Sequence, residues 1–209
     1  DRDYVFVPRD RMGEFVESSK RSVAKMYPTL LDNPDYTSVI NARHFERING
    51  YVDEARERGV EVVEINPADE DFRQQSAHKI APTLLIDPPE DSAVMREEIF
   101  GPVMPIKSYE SLDETLDYVN SHDRPLGLYY FGTDQEETQL VLNQTTSGGV
   151  TLNDVVMHVA QEDLPFGGVG PSGMGAYHGE DGFRTFSHAK AVFKQATFNP
   201  AEKLGLRPP

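Results

Sequence analysis

The sequence predicts an α/β fold in which a mostly parallel sheet is connected by helical crossovers. Short apolar segments typical of strands alternate with longer segments whose apolar side chains recur every three or four positions. Strands separated by helices of about ten or more residues favour parallel pairing. With 209 residues, of which 38% are hydrophobic, the chain is long enough for a domain with its own core. We therefore expect a single α/β domain over residues 1–209.

Two helices and three strands are predicted in the first half of the chain. Helices over 9–26 and 42–58 follow from apolar residues that recur along one face. These residues are Met12, Phe15, Val16, Val23 and Met26 in the first helix, and Phe45, Ile48, Val52 and Ala55 in the second. Strands are predicted at the apolar segments 4–7, 60–65 and 81–87.

Four further strands are predicted in the second half, at 101–109, 126–133, 148–153 and 186–198. The first three are separated by helical segments, as parallel pairing requires. The last strand has two possible positions. It could pair across an oligomer interface, or it could form an edge strand of its own sheet.

Two helix starts are marked by capping residues. Ser111 and Glu114 have the spacing of a capping box, in which each side chain hydrogen-bonds to a free backbone N–H of the first turn. This box opens a helix over 111–121. Thr133 and Glu136 have the same spacing, and they are predicted to open the next helix in the same way.

The charge balance argues against nucleic acid as a partner. The chain has 35 Asp and Glu against 20 Lys and Arg, and its net charge of −15 repels phosphate backbones. No apolar segment approaches the roughly 20 residues of a membrane span. The first residues also lack the pattern of a signal peptide. We therefore expect a cytoplasmic protein without a membrane span.

The residue types that are missing also limit the chemistry. The chain contains no cysteine, which excludes disulfides, thiolate metal sites and a cysteine nucleophile within these residues. Its six histidines have no ligand-like spacing, so we expect no metal site. The chain does not begin with Met, and we interpret it as a piece of a longer protein.

Seven glycines lie within residues 164–183. Gly168, Gly170 and Gly173 match G-x-G-x-x-G, but a dinucleotide-binding turn should follow a strand, open a helix and precede an acidic residue about twenty positions on. Here Pro165 precedes the glycines, Pro171 lies among them, and Phe193 and Lys194 stand where the acid should be. We therefore reject that interpretation. The glycines instead indicate close backbone approach, either to a ligand or to another segment of the chain.

Two longer motifs identify a family. The segments EEIFGPV (97–103) and LPFGGVGPSGMG (164–175) occur in the order and spacing of the C-terminal half of the aldehyde dehydrogenase family, which the chain resembles from about residue 4 to 193. The segments 147–158 and 173–192 narrow the resemblance to class 3-like members, and most closely to bacterial coniferyl aldehyde dehydrogenases. The implied fold is the catalytic-domain half, without the dinucleotide-binding domain.

The resemblance implies a cofactor, NAD or NADP, and two residues that contact it. Glu98 would accept hydrogen bonds from the ribose hydroxyls, and Phe100 would lie beside the nicotinamide. Taken alone, Glu98 could equally be a solvated carboxylate near a helix end, and Phe100 a core residue.

The resemblance also implies a tunnel for a small-molecule substrate, an aromatic or otherwise hydrophobic aldehyde that is flat or long, such as coniferyl aldehyde. Its walls would include Val159, Ala160, Phe166 and His178, and apolar and aromatic walls suit such a substrate. Without the resemblance, Phe166 could be ordinary core, and His178 could be a surface or helix-capping residue.

The family mechanism needs a cysteine nucleophile, which the resemblance places just upstream of Asp1, so no catalytic residue lies in this chain. The cysteine would form a thioester that a glutamate-activated water hydrolyses. The chain alone is therefore expected to be inactive, and the parent enzyme is expected to be a homodimer. Two alternatives remain: a stand-alone, thiol-free scaffold or binding protein, and a related reductase of activated acyl groups.

Overall fold

Two sheets form the framework of the fold, and the larger one has four strands. The computed structural model describes residues 3–194, 197 and 204–206. The strands of the larger sheet are β1 (Val5–Pro8), β2 (Glu61–Glu64), β3 (Thr83–Ile86) and β4 (Val103–Tyr109), in the order β1-β4-β3-β2. The pairs β1–β4 and β3–β4 are parallel, and β2 runs antiparallel to β3. The predicted α/β fold with a mostly parallel sheet is therefore confirmed.

A second, two-stranded sheet lies further along the chain. It consists of β5 (Gly127–Tyr130) and β6 (Gly149–Leu152), which pair in parallel with Gly127 opposite Gly149. The polypeptide crosses between them through a helix, as a parallel connection requires. Asn153, directly after β6, exchanges two side-chain hydrogen bonds of 2.9 Å with the backbone of Gly132, two residues beyond the end of β5. This exchange ties the carboxyl ends of the two strands together.

Seven α-helices surround the two sheets in the described residues. They are α1 (Met12–Met26), α2 (Ala42–Glu57), α3 (Ala93–Arg96), α4 (Leu112–Ser121), α5 (Gln135–Gln144), α6 (Met157–Ala160) and α7 (Gly179–Thr185), and a 3-10 turn at Arg9–Arg11 precedes α1. The predicted helices over 9–26 and 42–58 agree with α1 and α2 to within a few residues. The short helices α3 and α6 carry no apolar repeat long enough to be visible in the sequence.

The two predicted helix caps have different outcomes. The Ser111 side chain accepts a hydrogen bond from the backbone N–H of Glu114 at 3.4 Å, as predicted, but the Glu114 carboxylate accepts from the N–H of Glu110 at 3.1 Å, one residue before the cap. The next helix is capped by Asp134 and not by Thr133: the Asp134 carboxylate accepts from the N–H groups of Glu136 and Glu137 at 2.8 and 3.1 Å. A carboxylate beside the positive end of the helix dipole is a strong cap, which explains the shift by one residue.

Helices cover both faces of the four-stranded sheet. On one face, Ile48, Val52 and Ala55 of α2 pack against Leu85 of β3. On the other face, the apolar side of α1 packs against a cluster that contains Leu84. Leu84 and Leu85 are successive residues of β3, and their side chains therefore point to opposite faces. The short strand β3 thus joins the two halves of the core.

The predicted strand 186–198 is not a strand where the structure describes it. Helix α7 ends at Thr185, and residues 186–194 form no strand pairing. The edge-strand alternative is therefore wrong for these residues, because none of them pairs with a strand of either sheet. Residues 195, 196 and 198 lie outside the described residues, and pairing with a second subunit stays a prediction. No helix in the described part of the chain is long and apolar enough to cross a membrane.

The central position of Leu85 leads to a stability prediction. Its side chain is completely buried, so Leu85→Ala should lower the free energy of unfolding by about 2–5 kcal/mol, measured by urea denaturation. Leu142→Ala, at a partly exposed position of α5, is the matched control and should cost at most about 1 kcal/mol. Equal losses in the two variants would contradict the assignment of the core to β3.

Candidate functional site

Helix α2 holds the backbone of residues 97–101 in place. This segment connects α3 to β4. The guanidinium of Arg47 donates hydrogen bonds to the carbonyl oxygens of Glu98 at 2.9 Å and Ile99 at 2.8 Å. The Ile99 side chain is fully buried in the core. The segment is therefore fixed at one buried side chain and two backbone carbonyls.

The residues on either side of Ile99 point outward. Glu98 is exposed, and the side chain of Phe100 is 78% exposed. Phe100 also has a left-handed backbone conformation, with φ of 52°, which is unfavourable for a bulky residue. The alternative that Phe100 belongs to the core is therefore wrong. A strained backbone that presents an aromatic ring to solvent is typical of functional sites.

A cleft connects Glu98 with the glycine-rich segment 164–183. Glu98 and Pro171 both line it, so it brings together the two motifs that carry the family resemblance. The remaining lining residues are Tyr4, Arg96, His122, Asp123 and Pro125. The cleft has a volume of about 210 Å³ and contains cationic, anionic and aromatic groups. Such a mixture suits a polar ligand such as a sugar better than a purely apolar one.

The glycine-rich segment folds back on itself. The backbones of Phe166 and Tyr177 exchange hydrogen bonds of 2.9 and 3.0 Å. A Cβ atom added to Gly168 would lie 2.1 Å from the carbonyl oxygen of Ser172, and one added to Gly167 would lie 2.0 Å from that of Gly175. These glycines therefore permit close contact between two stretches of backbone. No helix begins until Gly179, in agreement with the rejection of a dinucleotide-binding turn.

Phe166 lies at the centre of an aromatic cluster. The ring of His178 stacks on it with a centroid distance of 6.2 Å, and the ring of Tyr177 meets it edge-on at 5.6 Å. His178 precedes α7, but its side chain makes no capping hydrogen bond. Phe166 is half-buried, so it is not an ordinary core residue. The structure therefore brings Phe166 and His178 together, and their role as tunnel walls stays a prediction.

The other two predicted tunnel residues lie on α6. Val159 is half-buried and Ala160 is exposed. The residue of this helix that meets the cluster is His158, whose ring lies 6.1 Å from that of Phe166. The helix begins after Val156, a β-branched residue with a left-handed φ of 63°, which is a second strained position near this cluster.

His158 was not singled out from the sequence. Its ring is buried, with Nδ1 2.7 Å from the hydroxyl of Thr151, and its Nε2 has no hydrogen-bond partner among the described residues. A Cβ atom on Gly149 would lie 2.4 Å from this ring. The sequence feature that points to this contact is the pair Gly148 and Gly149 at the start of β6, because a glycine in a strand often leaves room for a neighbouring group. Among the described residues, His, Asp and Glu side chains form no metal-binding group of three.

Comparisons with known proteins agree with the two motifs. The sequence model of the aldehyde dehydrogenase family matches residues 2–192. A probable coniferyl aldehyde dehydrogenase of Caulobacter vibrioides is 60% identical over 99% of this chain and 43% of its own length. The coniferyl aldehyde dehydrogenase of a Pseudomonas species is 52% identical over 99% of this chain and 43% of its own length. The predicted resemblance is therefore confirmed, and this chain spans less than half the length of these relatives.

Solved structures have the same fold. The substrate-bound AldH of Staphylococcus aureus superposes with a TM-score of 0.82 at 36% identity, over 94% of this chain and 42% of that one. A mutant AldC of Pseudomonas syringae, in complex with NAD+ and octanal, superposes with a TM-score of 0.71 at 25% identity, over 87% of this chain and 37% of that one. The fold described above is therefore part of a larger known one.

The close backbone contact at Gly168 can be tested directly. Gly168→Ala should lower the free energy of unfolding by about 1–3 kcal/mol, because the new methyl group would overlap the carbonyl of Ser172. Gly13→Ala is the matched control: it lies in α1 with no atom within 4 Å of the added methyl, and should stabilise the protein by up to about 1 kcal/mol. Destabilisation by both substitutions to the same extent would contradict this description of the loop.

Proposed function

This chain belongs to the aldehyde dehydrogenase family, and from that premise we propose that it is part of an NAD(P)-dependent enzyme that oxidises a hydrophobic, aromatic aldehyde to the carboxylic acid. One observation carries the proposal. The backbone of residues 97–101 is fixed to the core, while the side chains of Glu98 and Phe100 are left free at the surface. The fixed backbone preorganises these two side chains to bind a ligand, and the side chains themselves contribute little to the core.

The two exposed side chains fit the nicotinamide riboside part of NAD(P). The carboxylate of Glu98 can accept two hydrogen bonds from neighbouring ribose hydroxyls, and these are strengthened by its charge. The ring of Phe100 offers a flat apolar surface to the nicotinamide and helps to exclude water. When bound, NAD(P) supplies the acceptor for the hydride that leaves the substrate. The AldC structure contains NAD+, which supports the same cofactor here.

The aromatic cluster around Phe166 supports an aromatic substrate. Phe166, Tyr177 and His178 provide flat faces and edges against which a planar aldehyde can pack. Val159 and Ala160 would add a small apolar wall beside them. Two relatives bear the name of coniferyl aldehyde dehydrogenase, and coniferyl aldehyde is the substrate that we propose as an example of this class.

The chemistry requires a nucleophile that this chain does not contain. We propose that a cysteine upstream of Asp1 adds as thiolate to the aldehyde carbon and forms a new C–S bond. After oxidation, the resulting thioester is cleaved by a water that a glutamate deprotonates, which releases the acid and restores the thiolate. No residue of this chain is assigned to either step. Its residues orient the substrate and the nucleotide, and the Phe100 ring keeps water off the path of the hydride.

A homodimer is the assembly that we propose. Four apolar residues near the end of the described chain are 74–87% exposed: Phe183, Phe186, Val192 and Phe193. A rat relative, 39% identical over 99% of this chain and 44% of its own length, is named as a dimeric enzyme. Apolar side chains exposed to this extent on neighbouring residues favour contact with another protein surface.

The missing thiol leads to the first functional prediction. The purified chain, mixed with NAD(P) and coniferyl aldehyde, should produce no reduced nucleotide above the rate without protein. The longer enzyme, which carries the cysteine, should produce it under the same conditions, followed by the absorbance of the reduced nucleotide. Aldehyde oxidation by the chain alone would overturn the cysteine mechanism, because no thiol could then be involved.

The proposed role of Glu98 leads to the second functional prediction. In the longer enzyme, Glu98→Gln should raise the KM for NAD(P) roughly tenfold, because it removes a charged hydrogen-bond acceptor. The KM for the aldehyde should change much less. Glu61→Gln, at an exposed position of β2, is the matched control and should leave both constants unchanged. An unchanged KM for NAD(P) in Glu98→Gln would exclude Glu98 from the nucleotide site.

A further inference from the structure

Helix α2 presents three side chains to the segment 97–101. Ile48 is fully buried, and a Cβ atom on Gly101 would lie only 2.5 Å from its Cδ1. This contact sets how closely the segment approaches the helix. Arg47, the preceding residue, donates to the carbonyl oxygens of Glu98 and Ile99. Tyr51, one turn further along, contacts both Arg47 and the segment.

Tyr51 links Arg47 to the first residue of the segment. Its hydroxyl donates a hydrogen bond to the carboxylate of Glu97 at 2.7 Å and accepts one from the guanidinium of Arg47. The side chain is buried, and this burial, together with the bond to Glu97, raises the pKa of Tyr51. The hydroxyl therefore keeps its proton and remains a donor to Glu97. The Arg47 guanidinium also lies 5.3 Å from the centre of the Tyr51 ring.

The carbonyls that Arg47 holds belong to the two residues immediately before Phe100. The left-handed conformation of Phe100 costs free energy, of the order that one or two good hydrogen bonds can offset. Loss of these hydrogen bonds is therefore expected to let the backbone at Phe100 relax toward an ordinary conformation. A guanidinium can hold two acceptors at fixed positions because its donors lie in one plane, whereas a lysine ammonium cannot.

We propose that Arg47 is a positioning residue for the nucleotide. It fixes the backbone of Glu98 and Ile99, with Tyr51 and Glu97 aligning its guanidinium, and so keeps Glu98 and Phe100 in a conformation ready to bind. This inference rests on the proposed function, since it assigns Arg47 a role toward the ligand of Glu98 and Phe100. Arg47 itself acts only through the backbone of the segment.

The first test needs only this chain. Hydrogen–deuterium exchange of a peptide covering 97–101 should be roughly tenfold faster in Arg47→Met than in the unsubstituted chain. Arg47→Lys should give an intermediate rate, because the charge remains without the planar arrangement of donors. Tyr51→Phe, a mild substitution that keeps the buried ring, should give a smaller increase. Arg43→Met is the matched control on an exposed turn of the same helix, and should leave the exchange unchanged.

The second test uses the longer enzyme. Arg47→Met should raise the KM for NAD(P) roughly tenfold and the KM for the aldehyde much less, and Arg47→Lys should restore part of the loss. Unchanged exchange at 97–101 in Arg47→Met would overturn the inference. Faster exchange with an unchanged KM for NAD(P) would also overturn it, because the anchor would then be merely structural. Failure of the proposed function would be seen separately, as an unsubstituted longer enzyme that does not reduce NAD(P).

Discussion

The packing of Ile48 against Gly101 determines where the candidate site lies. Ile48 belongs to the buried face of α2, and the absence of a side chain at Gly101 allows the helix and the segment to touch. The same core cluster contains Ile99 and Leu85, so the segment, the helix and the central strand β3 form one packed unit. Since interiors of this kind are densely packed, the position of the segment cannot change without cost elsewhere. The hydrophobic core therefore sets the position, and the polar contacts of Arg47 set the backbone conformation.

The glycine-rich segment is held in a defined conformation by different interactions. Few side chains hold it, and its stability comes from backbone hydrogen bonds between Phe166 and Tyr177 and from close contacts at Gly167 and Gly168. This arrangement leaves the apolar side chains of the segment free to face outward, as Met174 does with 96% of its surface exposed. A segment that is held by its backbone can change its side chains without changing its shape. That property suits a substrate entrance whose specificity varies between related enzymes.

The sequence predicts the elements better than the site. The face of α2 was visible because Ile48, Val52 and Ala55 recur with helical spacing, which is a consequence of burial. The cap at Asp134 was missed by one residue, because Thr133 and Asp134 are both good caps and only the backbone conformation decides between them. The exposure of Phe100 could not be derived either, since aromatic residues are usually buried and a positive φ leaves no pattern in the sequence. His158 was hidden for a similar reason: its importance depends on Gly149 in another element.

The family motifs contain both residues whose type is explained by burial and residues whose type is not. Packing alone explains the buried Ile99, whereas the exposed Glu98 and Phe100 contribute little to the core, and Phe100 also has a strained backbone conformation. Burial likewise explains Leu85, whereas it does not explain the half-buried Phe166. Orienting two reactants can supply a large part of a catalytic barrier without any covalent step by the orienting residues. Under the proposed function, a chain without the nucleophile would still contribute to the specificity of the reaction, and the strained, exposed positions are where that contribution should be sought.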